Sequence, residues 1–151
     1  MVDILEEGKE KDGRKVVKVA RENLLALMQD LKNQGYNLSL TTAVDYIDHI
    51  EVVYHMHSLE KNDYIIVKVE TSDNHVPSLL PLWKSADWDE REQYDLMGVV
   101  FDGHPNLKRL FLPEGWMGHP LRKSYDLSKV QYVNMDEEGN DYVTFNPEDG
   151  W

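Results

Sequence analysis

The chain of 151 residues has no cysteine and no long apolar run. Disulfides and thiol nucleophiles are therefore excluded, and so are zinc sites and iron–sulfur clusters that are held by cysteine. A membrane helix needs about 20 consecutive apolar residues, and no stretch comes near that length. The first fifteen residues are polar and acidic, unlike a secretory signal. We therefore expect a protein in the cytosol or facing it.

Motifs for nucleotide binding and for common hydrolytic chemistry are also missing. No glycine-rich phosphate loop follows a predicted strand, and neither Gly-x-Ser-x-Gly nor His-Glu-x-x-His occurs. The net charge of −12 argues against nucleic acid as a partner, because nucleic-acid binding requires a basic surface. The residues therefore predict no catalytic, cofactor-binding or metal site in this chain.

The acidic charge is concentrated at the end of the chain. Residues 126–151 carry seven Asp or Glu and one Lys, whereas residues 99–125 carry four Lys or Arg and two acids. Aromatic and apolar residues are interleaved with the acids of the tail, which is unusual for a disordered segment. Two interpretations stay open: a solvated mobile end, or a tail that partly docks on the basic surface of another subunit.

Hydrophobic periodicity predicts an α+β fold. A Val-rich strand is expected at 15–19, and apolar residues at helical spacing predict a helix over 21–33. Further elements are expected as strands at 36–44, 50–59 and 64–70, a short helical stretch at 77–83 and a helix at 86–97. Short links favour antiparallel pairing. The prediction is a sheet of about four mostly antiparallel strands, covered by helices.

Side-chain alternation predicts which strand faces are buried. In the strand at 36–44, one side holds Tyr36, Leu38, Leu40 and Val44, as expected for a half-buried strand. The strand at 50–59 has an inner side of the same kind, formed by Ile50, Val52, Tyr54 and Met56. The domain organisation follows: an α/β domain at 1–98, with residues 1–14 as a loose acidic lead, and a long extended C-terminal arm at 99–151. The arm is too long for an ordinary connection within a compact domain.

The helix at 86–97 carries charge on nearly every side. Its large apolar residues need burial, so some of its charges must lie against protein and require partners. The candidate acids are Glu90, Glu92 and Asp95; the candidate cations that follow are Lys108, Arg109, Arg122 and Lys123. Arg109 and Arg122 are favoured because a guanidinium matches a carboxylate in two bonds. We hypothesise a clamp of such pairs between helix and arm.

Histidines offer two further interpretations. His55 and His57 are two residues apart on a predicted strand, so they share a face, and His49 would project to the same side. With Glu51 nearby, these residues could bind zinc, so a zinc-dependent hydrolase is one alternative. Against it, a half-exposed strand face is an ordinary place for histidine. His104 and His119 each stand between Gly and Pro, which favours structural turns over a proton-handling pair.

One stretch, residues 83–126, closely resembles the signature of the 30 kDa-type subunit (the C subunit) of respiratory complex I, an NADH:quinone oxidoreductase, and its relatives. The matching residues are Glu90-Arg91-Glu92-Gln93-Tyr94-Asp95-Leu96-Met97-Gly98, Gly103-His104-Pro105, Lys108-Arg109-Leu110, Leu112-Pro113, Trp116 and Gly118-His119-Pro120-Leu121-Arg122-Lys123. A looser likeness extends upstream through Thr42-Ala43-Val44-Asp45-Tyr46. About twenty positions in one order make a far more specific signal than a short motif.

The resemblance implies a non-catalytic subunit of the peripheral arm, on the cytoplasmic face of an energy-converting membrane. Iron–sulfur clusters and flavin are then expected in partner subunits, beside a quinone site, in a hetero-oligomer that meets the membrane through its partners. The electron donor stays open between NADH, reduced deazaflavin and ferredoxin. Interface or structural roles are implied for Glu90, Arg91, Glu92, Tyr94, Asp95, Gly98, His104, Pro105, Arg109, Trp116, Pro120, Arg122 and Lys123. A stand-alone adaptor is the other alternative.

Overall fold

A computed structural model describes residues 3–151. The strands are β1 (Ile4–Lys9), β2 (Lys15–Val19), β3 (Asn37–Asp45), β4 (Ile50–Ser58), β5 (Asp63–Thr71), β6 (His75–Pro77), β7 (Val100–Asp102), β8 (Gln131–Met135) and β9 (Asp141–Phe145). The helices are α1 (Arg21–Asn33) and α2 (Ala86–Met97), and a 3₁₀ turn spans Pro147–Asp149. Within the described residues, neither helix is long and apolar enough to cross a membrane.

The main sheet has five strands in the order β1-β2-β5-β4-β3. Its neighbours pair antiparallel except β2 and β5, which run parallel. The α+β prediction is confirmed, with a mixed sheet of five strands in place of about four. Two smaller sheets lie outside it: β6 with β7 in parallel, and the hairpin β8–β9.

The core lies between this sheet and α1, and buried residues of β6, α2 and β7 extend it. Leu24 and Met28 of α1 are fully buried and Leu31 nearly so, one turn apart on a single helix face. The inward side chains of β4, which are Ile50, Val52, Tyr54 and Met56, are also fully buried. α1 ends where predicted, because Gly35 takes up the left-handed backbone (φ 85°) that follows the helix.

The expected loose lead at 1–14 is wrong over residues 4–9. Residues 4–9 form β1, which pairs antiparallel with β2 at the edge of the sheet; residues 1 and 2 of the lead lie outside the described residues. The connection turns at Gly13, where φ is 89°, and the Gly13 amide donates to the Glu10 carbonyl oxygen. An Asp-Gly pair such as Asp12-Gly13 is typical of a hairpin turn, but the polar composition of the segment led to the prediction of a loose lead.

The expected facing of β3 is wrong beyond its first residues. A β-bulge between Leu38 and Leu40 shifts the register against β4. Leu38 is buried, but Leu40 and Val44 are 47% and 38% exposed, and Thr41 is buried in their place. An extra residue in one strand moves all later side chains to the opposite face.

The expected helical stretch at 77–83 is also wrong. Pro77 ends β6, and the residues after it form a turn in which the amides of Leu82 and Trp83 both donate to the Leu79 carbonyl oxygen. Pro81 has no amide hydrogen to extend such a turn into a helix. This segment instead places Ser78 and Leu79 beside α2, where both are buried.

Candidate functional site

The candidate site is the junction between α2 and the arm, and Asp95 is its centre. Asp95 is fully buried, and one of its oxygens, Oδ2, accepts hydrogen bonds from three consecutive arm amides, those of Leu110, Phe111 and Leu112, at 3.0, 2.7 and 2.9 Å. Its Oδ1 accepts from Arg109 Nη1 at 2.8 Å. Burial raises the pKa of Asp95, but Arg109 and the three amides outweigh it, so the pKa lies below its ordinary value. The carboxylate thus stays charged and fixes the arm backbone.

Arg109 extends the same junction further along the arm. Its Nη1 also donates to the Asp95 carbonyl oxygen at 3.1 Å, and its Nη2 donates to the carbonyl oxygens of Trp116 and Gly118 at 2.8 and 2.9 Å. A planar guanidinium can serve several acceptors in fixed directions, which an ammonium cannot do. One side chain therefore joins α2 to two positions of the arm.

A second junction forms at the end of β3. The buried Asp45 lies 3.2 Å from Arg122 Nε and accepts the Lys123 amide at 2.8 Å. Arg122 Nη1 donates to Asn74 Oδ1 at 3.1 Å. Burial raises the pKa of Asp45, but the amides of Lys123 and Ile47 and the charge of Arg122 bring it below its ordinary value. We call Asp95–Arg109 and Asp45–Arg122 the arm clamp.

His119 lies against Gly98, at the end of α2. A side-chain carbon added at Gly98 would stand 2.7 Å from His119 Cδ2, and Gly98 has φ of 74°, so this position requires glycine for space and for backbone conformation. His119 Nδ1 lies 2.9 Å from the Asp95 carbonyl oxygen. A carbonyl oxygen only accepts, so Nδ1 carries a hydrogen in this contact. The ring also meets Tyr94 edge-on, with ring centroids 6.1 Å apart.

Glu90 occupies a separate buried pocket. It is fully buried, and its carboxyl group accepts from the Ser78 hydroxyl at 2.6 Å and from the Leu79 amide at 2.7 Å. Burial raises the pKa of Glu90 to about 7; these two hydrogen bonds oppose the rise, and the nearby carboxylates of Asp87 and Asp89 add to it. Glu90 therefore changes charge near neutral pH.

His104 faces this pocket from the arm. Its side chain is fully buried, with Nε2 3.0 Å from Asp87 Oδ1 and 4.0 Å from Glu90 Oε2. Its Nδ1 accepts the Asn106 amide at 3.1 Å. The ring hydrogen of a neutral His104 must then lie on Nε2, toward the two carboxyl groups. Pro105 follows as an exposed turn residue.

The clamp hypothesis is right about Arg109 but wrong about several partners. Glu92 is exposed, and Glu90 contacts hydroxyl, amide and imidazole groups where an Arg or Lys partner was expected. Lys123 contributes its backbone amide, and Arg122 contacts Asp45, which sequence reasoning missed. The available signal was an acidic residue at the end of a half-buried strand, followed by Tyr46.

The remaining predicted interface residues surround the clamp. Arg91 donates to the carbonyl oxygens of Lys108 and Arg109 at 3.2 and 3.3 Å and lies over the Trp88 ring. Trp116 is half-buried and presents its carbonyl oxygen to Arg109. Pro120 is half-buried between His119 and Leu121, whose amide donates to the Leu96 carbonyl oxygen at 2.9 Å.

The histidines considered as zinc ligands have other contacts. His57 Nδ1 contacts the Ser39 hydroxyl, and Glu51 lies 3.6 Å from Lys68 Nζ. His55 is half-buried, and burial together with the charge of Arg14 lowers its pKa. Across residues 3–151, no group of three or more His, Asp or Glu side chains is arranged to hold a metal ion.

The fold and this site define a small α+β protein whose buried charges hold residues 109–123 against the end of α2 and the end of β3. Residues 17–131 match the family model described as respiratory-chain NADH dehydrogenase, 30 Kd subunit. The C subunit of NADH-quinone oxidoreductase from Moorella thermoacetica is 50% identical over 115 residues, covering 72% of this chain and 78% of the relative. The same subunit from Citrifermentans bemidjiense is 43% identical over 122 residues, covering 76% of each.

One solved structure supports the family match, and a second shows the same fold. The trypsin-resistant fragment (1-134) of Nqo5 superposes with a TM-score of 0.64 at 32% identity, covering 68% of this chain and 89% of the fragment. A chain of the membrane-bound sulfane sulfur reductase, an archaeal respiratory membrane complex, shares the fold with a TM-score of 0.72 at 22% identity, covering 81% and 77%. The chain belongs to the family of the 30 kDa subunit of respiratory-chain NADH dehydrogenase.

Proposed function

We propose that this chain is a non-catalytic, peripheral subunit of a complex I-like oxidoreductase. The whole complex would pass electrons from a reduced soluble carrier (NADH, reduced deazaflavin or ferredoxin) to a quinone-type membrane carrier, coupled to ion translocation. The family match over residues 17–131 supports this role, as do relatives that are themselves C subunits of NADH-quinone oxidoreductases.

The observation that carries the structural role is the set of contacts made by the fully buried carboxylate of Asp95. Both carboxylate oxygens of Asp95 accept hydrogen bonds, one from Arg109 and the other from arm amides. Arg109 Nη2 in turn donates to arm carbonyl oxygens. A catalytic group must reach a substrate, whereas these groups reach the chain's own backbone. Their work is to hold the arm in one shape, which a partner subunit can then recognise.

The partners follow from the same family. We expect the cluster-bearing and quinone-site subunits of the hydrophilic arm to contact this chain, with iron–sulfur clusters and flavin held by those partners. The complex would lie on the cytoplasmic face, and this chain would meet the membrane only through its partners. Its thirteen site residues would then act in structure and in the interface, and none of them in a bond-breaking step.

Affinity purification of the tagged chain from gently solubilised native membranes tests the proposal. We expect iron-containing subunits to co-purify in a fixed ratio, together with quinone reduction by one of the three donors. Recovery of the chain alone would overturn the proposal and favour the adaptor. Zinc in the purified chain, bound in stoichiometric amount, would favour the hydrolase.

A further inference from the structure

The hairpin β8–β9 forms a small sheet of its own, separate from the five-stranded sheet. Among residues 3–151, β8 and β9 join no other strand: they form a sheet of two strands, and both edges of that sheet are open. A two-stranded hairpin by itself is at best marginally stable in water. Its apolar side chains are also exposed: Tyr132 by 60%, Val133 by 50%, Met135 by 70% and Tyr142 by 48%.

The base of the hairpin is nevertheless hydrogen-bonded to the preceding residues 117–125. The Gln131 amide group forms two 2.8 Å hydrogen bonds with the Met117 backbone, one as acceptor and one as donor, and its Nε2 also donates to the Tyr125 hydroxyl at 3.1 Å. Trp151 packs against Tyr125 and Phe145, with ring centroids 5.9 and 6.3 Å apart. The hairpin is thus anchored at one end, with its free end projecting.

One face of the hairpin has the composition of an interface. Tyr132 pairs with Thr144 and Asn134 pairs with Tyr142, so these four side chains share one face. The Asn134 side-chain amide donates to the Thr144 hydroxyl at 2.8 Å, which orders the face between the two tyrosines. Tyrosine combines a large apolar surface with a hydroxyl group and is enriched in protein interfaces. The face is therefore suited to a partner with an apolar centre.

The turn of the hairpin specifies the charge of that partner. Asp136 is used within the turn, where its Oδ1 accepts the Glu138 and Asn140 amides at 2.9 and 2.8 Å. Glu137, Glu138 and Asp141 are exposed, and residues 130–151 contain no Lys or Arg. A surface rich in Arg and Lys is complementary to such a turn. A second copy of this chain, with net charge −12, and an anionic lipid surface are both disfavoured by repulsion.

We propose that the β8–β9 hairpin docks on a basic, apolar-centred surface of another subunit of the same complex. The tyrosine face supplies the buried contact and the acidic turn supplies orientation. This inference rests on the proposed function and adds to it a contact beyond the family match, which ends at residue 131, the first residue of β8.

The test uses the tagged full chain in its native complex. Glu137→Lys/Glu138→Lys reverses the turn, and Tyr132→Ser/Tyr142→Ser removes the contact surface. The control is Glu60→Lys/Asp30→Lys, which makes the same charge change at exposed positions of the β4–β5 turn and of α1. We expect about tenfold less partner subunit retained with each hairpin variant than with the control. Loss with the turn variant should grow as salt is lowered, because like charges then repel more strongly.

The outcomes separate the two proposals. If the unmodified chain brings down no partner subunit, the proposed function fails. If it does so and both hairpin variants match the control, only the docking surface is overturned. The thermal unfolding of each isolated variant should equal that of the unmodified chain, because none of the substituted residues lies in the core.

A second measurement does not depend on variant folding. A photo-crosslinking residue at position 132 or 142 in the complex should attach to a basic region of one other subunit. Attachment to a second copy of this chain, to lipid or to this chain's own domain would overturn the docking surface.

Discussion

Arg109 Nη1 donates to Asp95 Oδ1 at 2.8 Å, and Asp95 is fully buried while the Arg109 side chain is only 15% exposed. Removing one charge of such an ion pair leaves the other charge buried without a partner. We predict that Asp95→Asn lowers the free energy of unfolding by about 3 kcal/mol. Urea unfolding measures the change. Glu92→Gln, on the exposed side of the same helix, is the matched control and should change stability by less than about 0.5 kcal/mol.

The double variant Asp95→Asn/Arg109→Met tests whether the two residues act as a pair. We expect its loss of stability to be smaller than the sum of the two single losses by at least about 1 kcal/mol. If the two single losses of stability simply add, Asp95 and Arg109 are not energetically coupled. The Asp95–Arg109 pair would then no longer count as part of the arm clamp.

Gly98→Ala should destabilise the chain more than Gly103→Ala. Both glycines have positive φ, 74° and 84°, so both substitutions strain the backbone. Only at Gly98 does the new carbon meet a neighbour, 2.7 Å from His119; at Gly103 the described residues leave the space open. We predict an excess loss of about 1–2 kcal/mol at Gly98. Thermal or urea unfolding gives both values.

A second substitution isolates the contact with the ring. The extra loss of stability caused by Gly98→Ala should be smaller in a chain that also carries His119→Ala, because the neighbouring ring is then absent. An unchanged excess would mean that the ring does not restrict this position.

Glu90 should make stability depend on pH near neutrality. Its pKa is about 7 in the folded chain against an ordinary 4.5, so the folded state holds this proton more tightly than the unfolded state. Its stabilising contribution is complete below pH 4.5 and is lost as pH rises to 7 and beyond. Glu90→Gln cannot lose a proton. Relative to the unmodified chain, it should therefore gain about 3 kcal/mol between pH 4.5 and 8.

Urea unfolding across this pH range measures the difference between the two proteins. Glu92→Gln, at an exposed position of the same helix, serves again as the control, and its stability should differ little from that of the unmodified chain. A flat difference for Glu90→Gln would contradict the raised pKa.

The second half of the arm clamp is best followed at single amides. The Lys123 amide donates to Asp45 Oδ2 and the Ile47 amide to Asp45 Oδ1, both at 2.8 Å. An asparagine at position 45 keeps only one acceptor oxygen, so Asp45→Asn should speed hydrogen exchange at Lys123 about tenfold. The neighbouring Asp48, whose side chain is 81% exposed, supplies the control Asp48→Asn, which should leave that rate unchanged. Equal rates in both variants would remove Asp45 from the clamp.

Local patterns predicted the elements whose side chains repeat regularly. The helices at 21–33 and 86–97 and the strand at 15–19 have the predicted bounds, and the four inward residues of β4 are buried as their alternation indicates. Such a repeat arises because one face of the helix or strand packs on the core. It can therefore be recognised in a single sequence. The Gly-His-Pro triplets likewise indicated turns.

Features that depend on distant residues were missed. The bulge in β3 reverses the facing of Leu40 and Val44, and nothing in the alternation itself marks that reversal. The parallel pairing of β2 with β5 joins residues about fifty apart in the chain. Asp45 and Arg122 are 77 positions apart, so charge alone could not select Asp45 from the 28 acids of the chain.

We infer that the arm clamp has a structural role and no catalytic one. Asp95→Asn in the native complex tests it, by measuring both the amount of assembled complex and the donor-to-quinone turnover per assembled complex. We expect less assembled complex, with unchanged turnover in each complex that does assemble. Normal assembly with turnover lost in every complex would contradict it.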